Sequence, residues 1–248
     1  MIELKSASEI QQMSRASLIA AQCLTFLKNQ IRPGVSTETL DRQAEQFVLD
    51  RDGECAFKGY RGFPAALCVS VNDEVVHGIP GERILCTGDI VSLDIGVKID
   101  GFYGDCAITV GVDPISKEDL FLIQTTEAAL YAGIEQARAG NRLFDISYSI
   151  QQHAEQHGFS IVRQFVGHGI GRSLHEEPQV PNFGIPHKGL RLTEGMTLAI
   201  EPMVNTGVCE VFVDEDGWTA RTADGRKSAH FEHTIAITSG DPLILTSF

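Results

Sequence analysis

The second half of this chain repeats the first at an offset of 107 residues. Apolar side chains at helical spacing (Ile10, Met13, Leu18, Leu24, Leu27) mark a helix over 10–30, and it maps onto 117–137. A second helix over 37–50 maps onto 144–157. GDIVSLDIGV at 88–97 falls on GMTLAIEPMV at 195–204, so that Asp94 meets Glu201. No Ser/Gly-rich or Pro-rich linker separates the copies. A degenerate repeat without a linker predicts one domain over residues 1–248, built as two similar lobes at about 8–110 and 115–240. Its cleft is expected between the lobes, where sites commonly form.

The elements within each lobe follow from punctuation and period. Arg32-Pro33-Gly34 ends the first helix, and Gly53 closes the second. The period then changes. Residues 66–76 and 89–99 read as strands, Asp100-Gly101 as a hairpin turn, and 102–110 as the returning strand. Ser116 is placed to cap the third helix, over about 117–138. Further strands are expected around 161–167, 195–204, 208–213 and 231–238. The class is α/β.

Four acids interrupt the apolar strands: Asp94 in IVSLDIGV, Asp105 in GFYGDCAIT, Glu201 in TLAIEPMV and Glu232 in AHFEHTIAI. A carboxylate buried in such a run is costly unless it is paired, hydrogen-bonded or bound to metal. With a two-residue turn at Asp100-Gly101, Ile99 pairs with Phe102 and position 96 with 105. Asp94 then becomes the diagonal neighbour of Asp105 on one face, with α-carbons roughly 7–8 Å apart. Four separately solvated carboxylates are one reading. Divalent cations are the other, because they relieve the mutual repulsion. The segment VGHGIGRSLHEEP (166–178) adds His168 and His175. Four carboxylates with an imidazole suit Mn²⁺, Fe²⁺, Co²⁺ or Zn²⁺.

Other chemistries fit less well. GHGIG lacks the spacing of a dinucleotide-binding loop, since position 172 is Arg. His153 and His157 stand at i, i+4, but Ala154 occupies the place of the acid in a zinc-protease helix. Ser173 lies in no nucleophile elbow. The net charge of −13 argues against nucleic-acid or membrane surfaces as partners. No leader peptide is expected at MIELKSASEI, and no apolar run approaches the ~20 residues of a membrane span. Six dispersed cysteines read as reduced thiols in a cytoplasmic protein.

VSVNDEVVHGIP (69–80), SLDIGVKIDGFYGDCAIT (92–109), GHGIGRSLHEEPQV (167–180), AIEPMV (199–204) and SAHFEHTIAIT (228–238) together resemble the methionine aminopeptidases of type I, in their short bacterial form, within peptidase family M24. The resemblance runs in order over nearly the whole chain. It implies the "pita-bread" fold, with helices outside two pseudo-symmetric antiparallel sheets. It implies two divalent ions held by Asp94, Asp105, His168, Glu201 and Glu232, with a monovalent cation near Asn72 and Ser228. The implied activity removes the initiator methionine of nascent chains, at or near the ribosome, when the second residue is small. A bridging hydroxide at the dinuclear centre would attack the first peptide bond. Glu201 would shuttle the proton, His175 would support the developing oxyanion, and His77 would contact the scissile amide nitrogen. The methionine pocket would be formed by Tyr60, Phe63, Cys68, Leu174 and Trp218. Family members often carry Tyr at the second and Phe at the fourth of these positions, so Phe63 and Leu174 leave the pocket's exact preference open. A monomer is implied. The glycines beside His168 are expected to let the backbone bend tightly, and no chemical role falls to Glu176 or Glu177. The rival readings are a proline-type aminopeptidase or dipeptidase of the same fold, which usually carries a further N-terminal domain, and a non-catalytic pita-bread binding protein.

Overall fold

A computed structural model describes residues 2–247. Its four helices follow the repeat. They are α1 (Ala7–Lys28), α2 (Thr37–Leu49), α3 (Lys117–Glu135) and α4 (Leu143–Gln156). Serines at positions 6, 36 and 116 cap the first three, each accepting a backbone N–H of the first turn. Glu9 completes a capping box on α1 by accepting the Ser6 N–H at 2.9 Å. In α4 Asp145 accepts the Arg142 N–H instead, at 2.8 Å.

The strands of the first half are β1 (Glu54–Cys55), β2 (Cys68–Val71), β3 (Glu74–Val76), β4 (Ile90–Ile99) and β5 (Phe102–Gly111). Those of the second half are β6 (Ser160–Ile161), β7 (Gly167–Gly169), β8 (Glu176–Val180), β9 (Thr197–Ile200), β10 (Met203–Asn205), β11 (Val211–Val213), β12 (Ala220–Thr222), β13 (Ser228–His230), β14 (Glu232–Ala236) and β15 (Leu243–Ile244). Asp100 and Gly101 take φ of 51° and 81°, the left-handed pair of a two-residue hairpin turn. That turn fixes the expected register, Ile99 with Phe102 and Gly96 with Asp105.

Among the described residues, nine strands join in one antiparallel sheet: seven along the path β1-β4-β5-β14-β9-β7-β8, with β2 paired to β4 and β15 to β14 off it. The lobes meet at β5–β14, where Glu232 pairs with Ala107 and His233 with Cys106. The two antiparallel sets of strands are therefore hydrogen-bonded edge to edge. α1 packs on β4 and β5, while α3 packs on α4. One apolar cluster runs through both halves, from Leu24, Leu27 and Leu40 to Leu130, Ile146 and Ile150. No helix among the described residues is long and apolar enough to cross a membrane.

The repeat holds for the helices and breaks in the strands. The strand expected over 66–76 is split at Asn72, whose φ is 61°. The one expected over 195–204 is split after Ile200, where Glu201-Pro202 interrupts the ladder. The run 161–167 resolves into β6 and β7 with a connection between them. Glu176–Val180 forms a strand that the sequence pattern did not suggest; it lies at the sheet edge, where Pro178 costs no ladder bond. The spacing also changes. Glu201 follows Asp94 by 107 residues, but Glu232 follows Asp105 by 127. The β11–β12 hairpin, which has no counterpart in the first half, lies in that added length.

Candidate metal centre

Five adjacent strands or strand ends, β4, β5, β14, β9 and β7, each carry one polar ligand-type side chain on the same face. Asp94 pairs with Ala107, and Ala107 with Glu232, which gives one row across the sheet. The neighbouring row runs from Gly96 through Asp105 to Thr234, Ala199 and His168. Residues two apart on a strand face the same way, so both rows point into one cavity. Glu201 follows directly on β9. Its Oε1 lies 3.7 Å from His168 Nε2, and Asp105 Oδ2 lies 4.0 Å from the same nitrogen. Ligand atoms of Asp105, His168 and Glu232 fall within 4.8 Å of one another, and Asp94 and Glu201 line the same cavity.

Local hydrogen bonds hold these groups. The Asp105 N–H donates to Thr234 Oγ1 at 3.0 Å, and that hydroxyl donates to the Asp105 carbonyl at 2.8 Å. His168 Nδ1 lies 2.9 Å from the Gly169 carbonyl. A carbonyl only accepts, so the ring proton sits on Nδ1 and Nε2 offers a lone pair to the carboxylates. The flanking glycines do not bend the chain as the sequence suggested. They sit in a β-strand, where a Cβ at Gly167 would meet the Ala199 carbonyl at 2.4 Å and one at Gly169 the Glu177 carbonyl at 2.2 Å. Their smallness lets three strands close on the histidine.

The electrostatics call for a cation. Burial holds the carboxyls of Asp94, Glu201 and Glu232 well above the ordinary range, and neighbouring carboxylates add to it. Burial also pushes Asp105 up to about 7. Among the described residues no Lys or Arg pairs with any of the four; their only charged-partner candidates are His168 and His230. Asp94 Oδ1, Asp105 Oδ1 and Glu232 Oε1 are buried without a hydrogen-bond partner. Oxygens left in that state cost free energy that coordination recovers. The donor set fits a divalent ion.

The cavity, about 140 Å³, is also lined by Tyr60, Phe63, Cys68, His77, Leu174, His175 and Trp218. Every residue expected at the site therefore reaches it, except Asn72 and Ser228. Those two meet elsewhere through a 2.9 Å bond from the Ser228 N–H to the Asn72 carbonyl. Cys68 pairs across the sheet with Asp94, which puts the apolar wall beside the acids. Phe63 and Trp218 meet edge-on with centroids 5.1 Å apart. His77 holds a left-handed φ of 60°, a strained conformation of the kind that accumulates at functional sites. His175 stacks on Tyr60 at 5.2 Å, and the Tyr60 hydroxyl lies 2.9 Å from its Nδ1.

The pattern described as metallopeptidase family M24 matches residues 11–239. The chain belongs to that family. A methionine aminopeptidase of Clostridium perfringens is 53% identical over 246 residues, 99% of each chain. Methionine aminopeptidase 1 of Bacillus subtilis is 51% identical, again over 99% of both. The crystal structure of the Rickettsia prowazekii methionine aminopeptidase superposes with a TM-score of 0.98 at 40% identity, each chain covering all of the other. The Pyrococcus furiosus prolidase shares the fold alone, at 18% identity, with 65% of its length covered.

This M24 metallopeptidase works with divalent metal, and its site holds residues that sequence reasoning missed. His230 is the main one. Its Nε2 is buried without a hydrogen-bond partner, 3.6 Å from Glu201 Oε2. Thr109 grips its backbone, accepting from the N–H at 2.9 Å and donating to the carbonyl at 2.8 Å. The signal was present in AHFEHT, where His230 stands two residues before Glu232. Phe57 and Arg61 line the cavity as well.

Protons and metal must compete in the M24 centre. Without metal, the folded chain holds protons on buried carboxyls that an unfolded chain releases near pH 4. Its stability therefore falls as pH rises through the value of about 7 at Asp105. Burial depresses His77 and His175 to about 4 and His168 and His230 to about 3, which acts in the opposite sense, but only below about pH 6.5. Thermal scans of chelator-treated protein should thus show Tm falling from pH 6.5 to 8.5. Added Mn²⁺ should raise Tm, more at pH 8 than at pH 6.5, with protons released on binding. A Tm independent of pH and metal would contradict this account.

Proposed function

We propose that the chain removes the N-terminal methionine of newly made polypeptides whose second residue is small, working as a monomeric cytoplasmic enzyme on chains emerging from the ribosome. The observation that carries the reading is the juxtaposition of five ligand-type side chains with a small apolar cavity closed by Phe63 and Trp218. One flexible, unbranched side chain fits there, which suits methionine. Residues 1–248 act as one catalytic domain, supported by the sheet that takes strands from both lobes.

Asp94, Asp105, His168, Glu201 and Glu232 would hold two ions drawn from Co²⁺, Mn²⁺, Fe²⁺ or Zn²⁺. Asp105 and Glu232 would serve both, Asp94 one, and His168 with Glu201 the other. When bound, they supply a water whose pKa falls from about 15.7 toward ~7. Glu201, at the end of β9 and facing both His168 and His230, takes the water's proton and passes it to the leaving amine. His175 donates to the oxygen that becomes negative. That role calls for the ring proton on Nε2, a tautomer the Tyr60 hydroxyl supports when it donates to Nδ1 across 2.9 Å. His77, neutral near pH 7 because burial depresses it to about 4, contacts the scissile amide nitrogen. The free α-amine binds at the Asp94 side, which limits cleavage to the first residue. A monovalent cation would sit near Asn72 and Ser228, where the side-chain oxygen of the adjacent Asn205 is buried without a partner.

The metal-loaded protein should cut Met-Ala-Ser and leave Met-Leu-Ser essentially intact, because the second side chain must pass beside the ligands. Equal rates on the two peptides would refute the small-residue rule. Preference for a bond preceding proline would favour the proline-type reading, and no hydrolysis with both ions bound would favour a binding protein.

A further inference from the structure

The HEEP run contains a clamp that reaches the start of the chain. Glu176 Oε1 accepts the backbone N–H groups of Arg172 and Ser173 at 2.7 and 3.1 Å, closing the loop 171–176 on itself. Its other oxygen, Oε2, accepts Lys5 Nζ at 2.8 Å. The Lys5 side chain is wholly buried, and Nζ also donates to the Glu3 carbonyl at 3.3 Å. Lys5 is itself fixed by its backbone N–H, which donates to the Gly195 carbonyl at 2.7 Å. The stem runs directly beneath the loop. A Cβ at Gly171 would lie 2.2 Å from Lys5 Cε and 2.9 Å from Glu176 Oε1, so a larger residue there would push on both members of the clamp.

Burying an ammonium beside a carboxylate is a poor way to gain stability, but removing one partner strips the other of its shortest charge contact, leaving Lys5 only the 3.7 Å approach of the Glu3 carboxylate. The arrangement therefore ties position more firmly than it stabilises the fold. What it positions is the residue just before Glu176, which is His175, together with Leu174 on the cavity wall.

We propose that Lys5 is a positioning residue for catalysis, holding the His175 ring at the cavity rim through Glu176. The proposal deepens the function given above and rests on the role of His175 in it. A ring displaced by even about 1 Å from its acceptor can cost up to roughly 10²-fold in rate.

The test uses the full chain, with Lys5→Met, Glu176→Gln and the double variant. In Mn²⁺-loaded protein each single change should lower kcat on Met-Ala-Ser roughly 10- to 100-fold, with KM and metal content unchanged. The double variant should be no worse than the worse single, since both changes break one linkage. In metal-free protein with labelled histidines, the ring resonances of His175 should move while those of His168 stay. Full kcat in a folded single variant, additive losses, or parallel changes at His168 and in metal content would overturn the proposal. If Lys5→Met does not fold, Glu176→Gln decides alone, since it keeps the shape and removes the charge. If the parent chain cuts no Met-Ala-Ser, the functional reading fails. The histidine resonances still report on the anchor independently.

Discussion

Asp105→Ala should yield a folded chain that hydrolyses no Met-Ala-Ser peptide. The Asp105 backbone is held by Thr234 through two hydrogen bonds that do not involve its carboxyl, so the strand survives the change. The carboxyl is buried, has an unpartnered oxygen, and stands between Asp94 and the His168 ring. Its loss removes the group that the proposed arrangement shares between both ions. Metal polarisation contributes several kcal/mol to such reactions, so turnover should fall by at least roughly 10³-fold. The metal-free variant should also be no less stable than its parent at pH 8, because one buried charge is gone from a cluster of four. Metal analysis, steady-state kinetics and a thermal scan on the same preparation check all three points. Near-normal turnover with less than one ion per chain would show that Asp105 is not shared.

His175→Ala should separate binding from rate. The ring lies at the cavity rim, stacked on Tyr60 and with its centroid 4.2 Å from that of His168. Among the described residues it forms no hydrogen bond or ion pair with a carboxylate, so both ions should remain. Loss of one oxyanion donor should lower kcat by about 10²–10³-fold with little change in KM. Burial, with Arg61 nearby, depresses the ring to about 4, so it stays neutral from pH 5 to 8. The rate lost in the variant should therefore be the same at pH 6 and pH 8. A variant with full activity, or one short of metal, would remove His175 from its assigned role.

The most legible parts of the molecule were those fixed by local chemistry. Asp100-Gly101 could form a tight left-handed turn, and that alone set the β4–β5 register and the placing of Asp94 against Asp105. The acids stood out because an apolar strand has no other use for them. The Ser116 cap and the helical repeat were readable for the same reason. What remained hidden depends on partners distant in sequence. Nothing near Glu232 shows that its strand pairs with β5. The glycines around His168 looked like bend formers because the strands crowding them lie at Ala199 and Glu177. Glu176 showed no function because its partner, Lys5, is 171 residues away. Trp218 reaches the cavity from the β11–β12 hairpin, which the repeat does not contain, so only the resemblance, and no offset, could point to it.

The division of the centre between the two halves bears on when the chain becomes an enzyme. Asp94 and Asp105 come from the first lobe, and His168, Glu201 and Glu232 from the second. The strand bearing Glu232 is also the one that stitches the lobes together. A growing chain that has completed only its first lobe owns two unshielded acids and no place to close around an ion. With the ligand set proposed above, metal capture would wait for β14, and a truncated or stalled product is expected to be inert rather than a partly active protease loose among other unfinished chains.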